Sequence, residues 1–378
     1  MNILHVVNIS FVIPFFLGEQ LNYFTKKGFK EYVVCSPSEE LESFSERYSF
    51  VNLPVAIERK LSFWSDFKAI LKVARYLCKY KIDVVVGHTP KGALIAMVAA
   101  FVTRIPIRIY FRHGLVYETA VGFKRFLLIN IDRLTAKLAT KIICVSPSVA
   151  NKSIKERLNR GNKQFVLGNG TCNGINVDQF NQTSIIKDGS LALQKLLGLE
   201  NENFVIGYTG RLVKDKGIID LVDAFNIVKE QCPNARLLLV GMLEERDALP
   251  QSLVDTLNSD KSIIMVGYVD NTRMPLYYSL MDIFVLPSYR EGFPTSVLEA
   301  SAMNIPVLTT RATGCVDSIV EGETGFFFNG VEKMAESIVW LYNHPADRIE
   351  IGRKGRLFVE SKFQQKDIWE EIEKLYHR

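Results

Sequence analysis

The chain has 378 residues, of which 48% are hydrophobic and 23% charged, and its formal net charge is +5. This composition predicts a folded globular protein long enough for two domains, and it excludes a disordered chain. The charge is unevenly distributed, because residues 1–185 contain 25 Lys and Arg against 13 Asp and Glu, whereas residues 186–378 contain 21 against 28. We therefore expect the first half to meet an anionic partner.

Membrane spans, export signals and metal sites have little support in the sequence. The longest apolar run, "GALIAMVAAFV" at 92–102, is shorter than the ~20 residues that cross a bilayer, and it predicts a buried helix. The N-terminal "MNILHVVNI" lacks a basic segment and a small-residue cleavage site, which predicts a strand and not a signal peptide. The six cysteines and five histidines are scattered without C-x-x-C, which favours a reducing cytoplasm and no metal centre.

Short apolar runs alternate with helical patterns along the whole chain. The runs are continuous and rich in β-branched residues, as is typical of strands buried on both faces of a parallel sheet. The predicted strands of the first half are 2–9, 31–37, 50–55, 83–88, 107–114 and 141–147. Those of the second half are 203–211, 235–241, 262–269, 282–288 and 305–310, with helices between them such as 216–233.

This alternation predicts an α/β protein with two doubly wound, Rossmann-like domains that face each other across a cleft. The polar stretch 169–203 is the expected linker. We place a first domain at 1–185 and a second at 186–365, and we expect a last helix at 366–378 to pack back toward the first domain. Ligands of such sheets bind at the carboxyl ends of the strands.

An acidic turn follows the strand at 282–288. In "SYREGFPTSVLEASAMNIPVLTT" (288–310), Glu291 lies in the turn and Glu299 lies in a helix that we expect to begin at Pro294. The two carboxylates should be roughly 10–15 Å apart, too far to flank one glycosidic bond. They suit the two ends of a sugar–diphosphate–nucleoside, with the free N–H groups of a helix start between them. An ordinary helix start with surface acids is the alternative.

A basic turn follows the strand at 203–211. In "GYTGRLVKDKGIIDLVDAF" (207–225), Arg211 follows Gly210, and Lys216 is expected to open the next helix. A bidentate guanidinium and a point charge together suit a diphosphate that becomes a leaving group. A solvated basic turn is the alternative.

Together, "GRLVKDKG" and "PSYREGFPTSVLEA" resemble the retaining nucleotide-sugar glycosyltransferases of family 4, which have the two-domain GT-B fold. "GCVDSIVEGETGFFF" (314–328) is similar to the segment that follows the acidic motif in that family. "SPSEEL", "RHGLVYET" and "VLGNGTCNGINVDQF" resemble a subgroup of bacterial enzymes that build capsule, O-antigen or lipid-linked glycans.

The resemblance implies that the domain at 1–185 binds the acceptor and that the domain at 186–365 binds the donor. It also implies a role for each matching residue. Arg211 and Lys216 would hold the diphosphate, Glu291 the sugar hydroxyls and Glu299 the ribose hydroxyls. His113, in "FRHG", would lie near the reacting centre, although capping of a strand end is an alternative. The remaining donor-binding residues would be Gly210, Tyr268, Val269, Gly292, Phe293 and Thr295, with the base near Tyr268 and Val269.

Two features depart from the family pattern, and one motif is lacking. The first strand-to-helix turn, "NISFVIPFFLGEQL", has only Gly18 in place of a Gly-Gly loop, so it is expected to face the acceptor. Pro294 replaces a common glycine and offers no N–H. There is no D-x-D, so we expect no metal and no other cofactor, with Arg211 and Lys216 in the metal's place.

Two basic helices are predicted in the first half, at 64–81 and 123–141. Their cations recur at helical spacing, which suits an anionic lipid surface, although a solvated helix face is the alternative. The predicted acceptor and membrane residues are Lys68, Lys72, Arg75, Lys79, Lys124 and Arg125. We expect a cytoplasmic enzyme bound peripherally to the inner face of the membrane, and no nucleic-acid partner, because no RNA- or DNA-binding motif is present.

The sequence thus predicts a retaining, metal-independent transferase that moves a hexose or N-acetylhexosamine from a nucleotide sugar, expected to be UDP-linked. The expected acceptor is a polyprenyl-diphosphate-linked glycan. A UDP-sugar 2-epimerase on the same fold is the alternative enzyme, although no dense acid/base set surrounds Glu291. A nucleotide-sugar-binding module without activity is the third hypothesis.

Overall fold

The computed structural model describes residues 1–58, 62–245 and 247–377. The chain forms two compact units, each built on its own sheet. The first unit contains residues 1–174 and 365–378, and the second contains residues 175–364.

The first unit contains a seven-stranded parallel sheet with the order β3-β2-β1-β4-β5-β6-β7. Its strands are β1 (Asn2–Val6), β2 (Lys30–Cys35), β3 (Val51–Pro54), β4 (Val84–Gly87), β5 (Ile107–Arg112), β6 (Lys141–Cys144) and β7 (Gln164–Phe165). Its helices are α1 (Ile13–Phe16), α2 (Glu19–Lys26), α3 (Glu40–Arg47), α4 (Phe63–Lys79), α5 (Pro90–Val102), α6 (Gly122–Leu138), α7 (Pro147–Lys155) and α15 (Gln365–Tyr376). The apolar run at 92–102 is the buried helix α5, as predicted.

The second unit contains a six-stranded parallel sheet with the order β10-β9-β8-β11-β12-β13. Its strands are β8 (Phe204–Thr209), β9 (Ala235–Val240), β10 (Ile263–Gly267), β11 (Ile283–Leu286), β12 (Val307–Thr310) and β13 (Gly325–Phe328). Its helices are α8 (Ser184–Leu196), α9 (Ile218–Gln231), α10 (Gln251–Ser259), α11 (Met274–Tyr278), α12 (Thr295–Ala302), α13 (Val331–Asn343) and α14 (Pro345–Lys362). Two Rossmann-like parallel sheets confirm the predicted fold class.

The boundary between the units lies earlier than the sequence analysis placed it. Residues 175–185 belong to the second unit. Ile175 N–H donates to the carbonyl of Phe363 at 2.7 Å, and the buried ring of Phe180 packs in the second core. Arg356 Nη1 donates to the Phe180 carbonyl at 3.0 Å. These contacts hold the polar stretch against the second sheet, and composition alone does not reveal them.

The last helix, α15, belongs to the first unit. Ile368, Ile372 and Tyr376 on its inner face are buried. Trp369 Nε1 donates to Asn173 Oδ1 at 2.7 Å, and Lys141 Nζ donates to the carbonyl of Leu375 at 2.7 Å. The chain therefore returns to its first sheet after completing the second.

Candidate active site

The turns that follow β8 and β11 lie side by side, because these strands are neighbours in the second sheet. Gly217 has φ +70°, and a Cβ there would lie 2.2 Å from the carbonyl oxygen of Pro287. Only glycine tolerates both the backbone conformation and this approach. Arg290 Nη2 also lies 3.1 Å from Asp215 Oδ2. The basic and acidic turns predicted to bind one donor therefore pack against each other at one edge of the sheet.

Lys216 and Glu291 form an ion pair across these two turns. Lys216 Nζ lies 2.5 Å from Glu291 Oε1, and the two side chains are only 15% and 14% exposed. The sequence predicted that Lys216 opens a helix. Instead it ends a short 3₁₀ turn at 214–216, and α9 begins at Ile218 because the left-handed Gly217 separates the two helices.

Arg211 lies on the same edge but contacts a different carboxylate. Its Nη1 lies 3.1 Å from Glu244 Oε2, and its side chain is 40% exposed. Tyr208 Oη donates to the Arg211 carbonyl at 2.9 Å, which fixes the start of the turn. A Cβ at Gly241 would lie 1.8 Å from the Gly210 carbonyl oxygen, so the turns after β8 and β9 are in contact. Sequence reasoning missed Glu244, although its position after a predicted strand was a usable signal.

The helix that follows the acidic turn, α12, begins at Thr295. Pro294 occupies the N-cap position and not the predicted first helical position, because its backbone is extended (φ −80°, ψ 95°). No side chain among the described residues caps α12, so its first N–H groups face outward from the helix start. The backbone of Gly314 packs against that of Gly292, since a Cβ added at Gly314 would lie 2.4 Å from the Gly292 carbonyl oxygen. The Phe293 ring packs 5.4 Å from that of Phe363.

Glu299 is held by the hydroxyl of Tyr278, a residue that the sequence analysis missed. Tyr278 Oη donates to Glu299 Oε2 at 2.8 Å and lies 2.9 Å from Thr209 Oγ1. Burial raises the pKa of Glu299 to about 7, against the lowering effect of the Tyr278 hydrogen bond. Glu299 is therefore a carboxyl group whose charge changes near neutral pH.

Tyr268 and Val269 directly follow β10, the edge strand of the second sheet. The Tyr268 side chain is 49% exposed. Strand β9 separates β10 from β8, so these residues lie at the same edge as Arg211 but two strands away from it. A long ligand is needed to reach both places.

His113 belongs to the first unit, whereas Arg211, Lys216 and Glu291 belong to the second. It directly follows β5, its ring stacks on Phe16 at 3.8 Å, and its Nε2 lies 3.0 Å from His88 Nδ1. Burial lowers the pKa of His113 to about 3, so its imidazole is neutral near pH 7. Phe16 comes from the turn that lacks the Gly-Gly loop.

Comparison with known proteins identifies the family. Residues 192–358 match the model for "Glycosyl transferases group 1", and residues 16–171 match that for "Glycosyltransferase Family 4". The capsular polysaccharide biosynthesis glycosyltransferase CapM of Staphylococcus aureus is 38% identical over 380 residues, which span 99% of this chain and 96% of CapM. The chain belongs to the family 4 glycosyltransferases.

Two further proteins resemble this glycosyltransferase over most of its length. The UDP-Gal:alpha-D-GlcNAc-diphosphoundecaprenol alpha-1,3-galactosyltransferase of Escherichia coli is 25% identical over 285 residues, which cover 75% of this chain and 71% of that enzyme. The crystal structure of Anabaena Alr3699/HepE in complex with UDP and glucose superposes with a TM-score of 0.83 at 18% identity, over 99% of this chain and 98% of that chain. At that identity the likeness shows the GT-B fold alone.

The basic helices of this glycosyltransferase expose both charged and apolar side chains. Lys68, Lys72, Arg75 and Lys79 on α4 and Lys124 on α6 are exposed. Arg125 is partly neutralised, because its Nη2 lies 2.9 Å from Glu156 Oε2. The sequence analysis missed the apolar part of this surface: Phe63, Trp64, Val121, Phe123 and Phe126 are 77%, 72%, 83%, 77% and 62% exposed.

The described part of the chain contains no helix that is both long and apolar enough to span a bilayer. Within residues 1–58, 62–245 and 247–377, no group of three or more His, Cys, Asp and Glu is placed to hold a metal ion.

Proposed function

We propose that this glycosyltransferase is a retaining enzyme that moves a hexose or N-acetylhexosamine from a UDP-sugar to a polyprenyl-diphosphate-linked glycan. The product would be a unit of a bacterial surface polysaccharide. The observation that supports this most directly is the contact between Lys216 and Glu291 at one sheet edge, beside the uncapped start of α12. The names of the relatives support the rest, since CapM acts in capsule biosynthesis and the E. coli enzyme uses UDP-Gal and a diphosphoundecaprenol acceptor.

In the proposed donor complex, the diphosphate takes the place of Glu291 on Lys216 and of Glu244 on Arg211. Glu291 then accepts hydrogen bonds from the sugar, and Glu299 accepts them from the ribose. The bond between the sugar and the diphosphate oxygen breaks while the acceptor oxygen bonds to the same face of the sugar. The departing phosphate oxygen takes the acceptor's proton. The two cations stabilise the growing negative charge in a partly buried site, and no metal is required.

We further propose that the first unit contacts an anionic membrane through α4 and α6. Both helices precede parallel strands of one sheet, so their first residues lie at the carboxyl edge of that sheet. Phe63 and Trp64 begin α4, and Phe123 and Phe126 begin α6. Apolar side chains at one end and cations such as Lys68 beside them match a lipid interface.

The test is a transfer assay without added metal, with UDP-, GDP- and ADP-sugars as donors and a synthetic polyprenyl-diphosphate sugar as acceptor. We expect one UDP-sugar to give a product whose new glycosidic bond has the donor's anomeric configuration. An inverted product would contradict the retaining mechanism. Conversion of UDP-sugar to its 2-epimer without acceptor would instead show an isomerase.

A further inference from the structure

Four residues from four neighbouring strand positions form a hydrogen-bonded chain that ends at His113. Glu31 lies in β2 and His5 in β1, and His88 and His113 directly follow β4 and β5. The sheet order β2-β1-β4-β5 places these positions side by side. The distances along the chain are 3.2 Å from Glu31 Oε2 to His5 Nε2, 3.1 Å from His5 Nδ1 to His88 Nε2, and 3.0 Å from His88 Nδ1 to His113 Nε2.

The hydrogen-bonded chain runs from the protein interior to the edge of the sheet. Glu31, His5 and His88 are 1%, 1% and 2% exposed, whereas His113 is partly exposed. Aromatic rings cover the outer imidazoles, since Phe111 stacks 5.2 Å from His88 and Phe16 stacks 3.8 Å from His113. Water therefore has little access to the hydrogen bonds between the imidazoles. Each ring must supply the hydrogen-bond donor or acceptor that its neighbour needs.

The hydrogen-bonding capacity of neutral imidazoles ties the direction of each bond to the next. Burial lowers the pKa of His113 to about 3, and burial together with the neighbouring His113 and His5 lowers the pKa of His88 well below its usual value. Each of these two rings therefore has one donor and one acceptor. If His113 donates from Nε2 to His88 Nδ1, His88 must carry its own proton on Nε2 and donate to His5 Nδ1.

The inner end of the hydrogen-bonded chain selects this direction when Glu31 is ionised and His5 is neutral. A carboxylate only accepts hydrogen bonds, so His5 Nε2–H must donate to it. Glu31 Oε1 and Tyr376 Oη are both buried and make no other hydrogen bond within the described residues. Burial, and after it the negative charge of Glu31, raise the pKa of Tyr376 well above its usual value. The Tyr376 hydroxyl therefore stays protonated near neutral pH.

We propose that Glu31, His5 and His88 are positioning residues that hold His113 as its Nε2–H tautomer, with Nδ1 as an acceptor for a substrate hydroxyl. This inference rests on the proposed function for the presence of a substrate hydroxyl at His113. One additional proton on the Glu31–His5 pair reverses every bond, since His5 Nδ1–H then donates to His88 and His88 Nδ1–H to His113. Nδ1 of His113 becomes a donor in that state, so the acceptor for a substrate hydroxyl is lost without any charge on His113.

The decisive measurement is the tautomeric state of the histidines in the full chain labelled with ¹⁵N-histidine. Long-range ¹H–¹⁵N spectra distinguish protonated from unprotonated ring nitrogens, and replacement of single histidines assigns the five ring systems. At pH 7.5 we expect His5, His88 and His113 all to carry their proton on Nε2. A proton on Nδ1 of His113 at pH 7.5, or His88 and His113 in opposite tautomers, would overturn the proposal. The experiment needs no variant protein to be active.

Kinetics separate positioning from simple packing. His88→Phe keeps a ring beside Phe111 but breaks the chain, and we expect it to lower kcat about tenfold with little change in the donor KM. The double variant His88→Phe/His113→Phe should lose no more than His113→Phe alone, because both changes remove the same hydrogen bond. Additive losses would contradict the chain, and His344→Phe, which changes an exposed histidine of the second unit, is the control.

The two readouts also distinguish failure of the inference from failure of the proposed function. If the tautomers are as expected but His113→Phe leaves transfer unchanged, the chain exists and the position of His113 in the proposed reaction is wrong. If transfer depends on His113 but the three histidines do not have the same tautomer, the proposed reaction stands and the proposed hydrogen-bonded chain is wrong.

Discussion

The ammonium group of Lys216 contacts the carboxylate of Glu291, so two residues with different proposed tasks neutralise each other in this structure. One comes from the turn after β8 and the other from the turn after β11. Both side chains are largely buried, and a diphosphate that binds Lys216 must compete with Glu291 for it. In the proposed donor complex, donor binding and the release of Glu291 from Lys216 are therefore coupled.

Replacing Lys216 by alanine should lower kcat/KM for transfer at least about 100-fold, the usual cost of losing one group that stabilises a developing oxyanion. It should also abolish thermal stabilisation by the UDP-sugar. Lys214→Ala is the matched control, because Lys214 lies in the same 3₁₀ turn but is exposed. Equal effects of the two substitutions would mean that the turn contributes only general positive charge.

Replacing Glu291 by glutamine should separate nucleotide binding from transfer. The substitution removes the carboxylate that competes for Lys216, so the affinity for UDP should be unchanged or higher in isothermal titration calorimetry. The transfer rate should fall at least about tenfold, because the sugar loses its charged acceptor. A loss of UDP affinity comparable to that of Lys216→Ala would contradict the competition.

Glu299 should make donor binding depend on pH. Its pKa of about 7 means that only its ionised form, which is favoured above that pH, accepts strongly from the ribose hydroxyls. Between pH 6 and pH 8 the affinity for a UDP-sugar should rise about tenfold, and this rise should vanish in Glu299→Gln. A UDP-sugar is used because its diphosphate does not titrate in this range, and Glu323→Gln, at an exposed position, is the control.

The same carboxyl group predicts a stability effect of defined sign. Burial raises the pKa of Glu299 in the folded state. Glu299 therefore destabilises the folded protein least at pH values below the pKa of an exposed Glu, and the free energy of unfolding falls as the pH rises from there through 7. Glu299→Gln should therefore raise the melting temperature of the ligand-free protein at pH 8 and leave it nearly unchanged at pH 4.5. A uniform shift at both values would show that the effect is packing and not charge.

Transfer should not require a divalent metal. The proposed charge stabilisation comes from Arg211 and Lys216, so EDTA at millimolar concentration should leave the initial rate within about twofold. The measurement uses purified enzyme dialysed against chelator, with and without added Mg²⁺ or Mn²⁺. A rate that falls with EDTA and returns with either ion would place a metal in the mechanism.

The sequence was sufficient to predict most of the fold because parallel strands buried on both faces leave continuous apolar runs. It missed β7, which has only two residues, and β13, whose short "GFFF" begins with a glycine at the end of a quoted motif. The position of Arg211, Lys216 and Glu291 in turns after strands could be predicted, because each turn follows an apolar run, whereas their role in donor binding stays a prediction. The residues that contact these three side chains could not be predicted.

Contacts between residues that are far apart in the sequence depend on the order of the strands in the sheet. No local sequence pattern indicates that order. His5 and His88 are 83 positions apart, and they meet only because β1 and β4 are neighbours. The scattered histidines suggested no common role, yet three of the five form one chain. Glu244 and Tyr278 escaped notice for the same reason.

The exposed aromatic residues should bind this glycosyltransferase to lipid. Burying an exposed Phe or Trp side chain in an apolar phase contributes about 1.5–3 kcal/mol, so Phe63→Ser/Trp64→Ser should weaken binding to anionic vesicles at least tenfold in a sedimentation assay. Lys68→Ala/Lys72→Ala should weaken binding to anionic vesicles but not to phosphatidylcholine vesicles, and should reduce its dependence on salt.

The control for this surface is Ile349→Ser, which removes an apolar side chain that is 69% exposed on α14 of the second unit. It should leave vesicle binding unchanged, because the nearby Arg348 and Arg353 are already paired with Asp282 and Glu350. If Ile349→Ser weakens binding as much as the paired aromatic substitution, lipid contact is nonspecific. If the wild-type protein ignores vesicles of every composition, α4 and α6 do not form a membrane surface, and their aromatic residues must meet another partner.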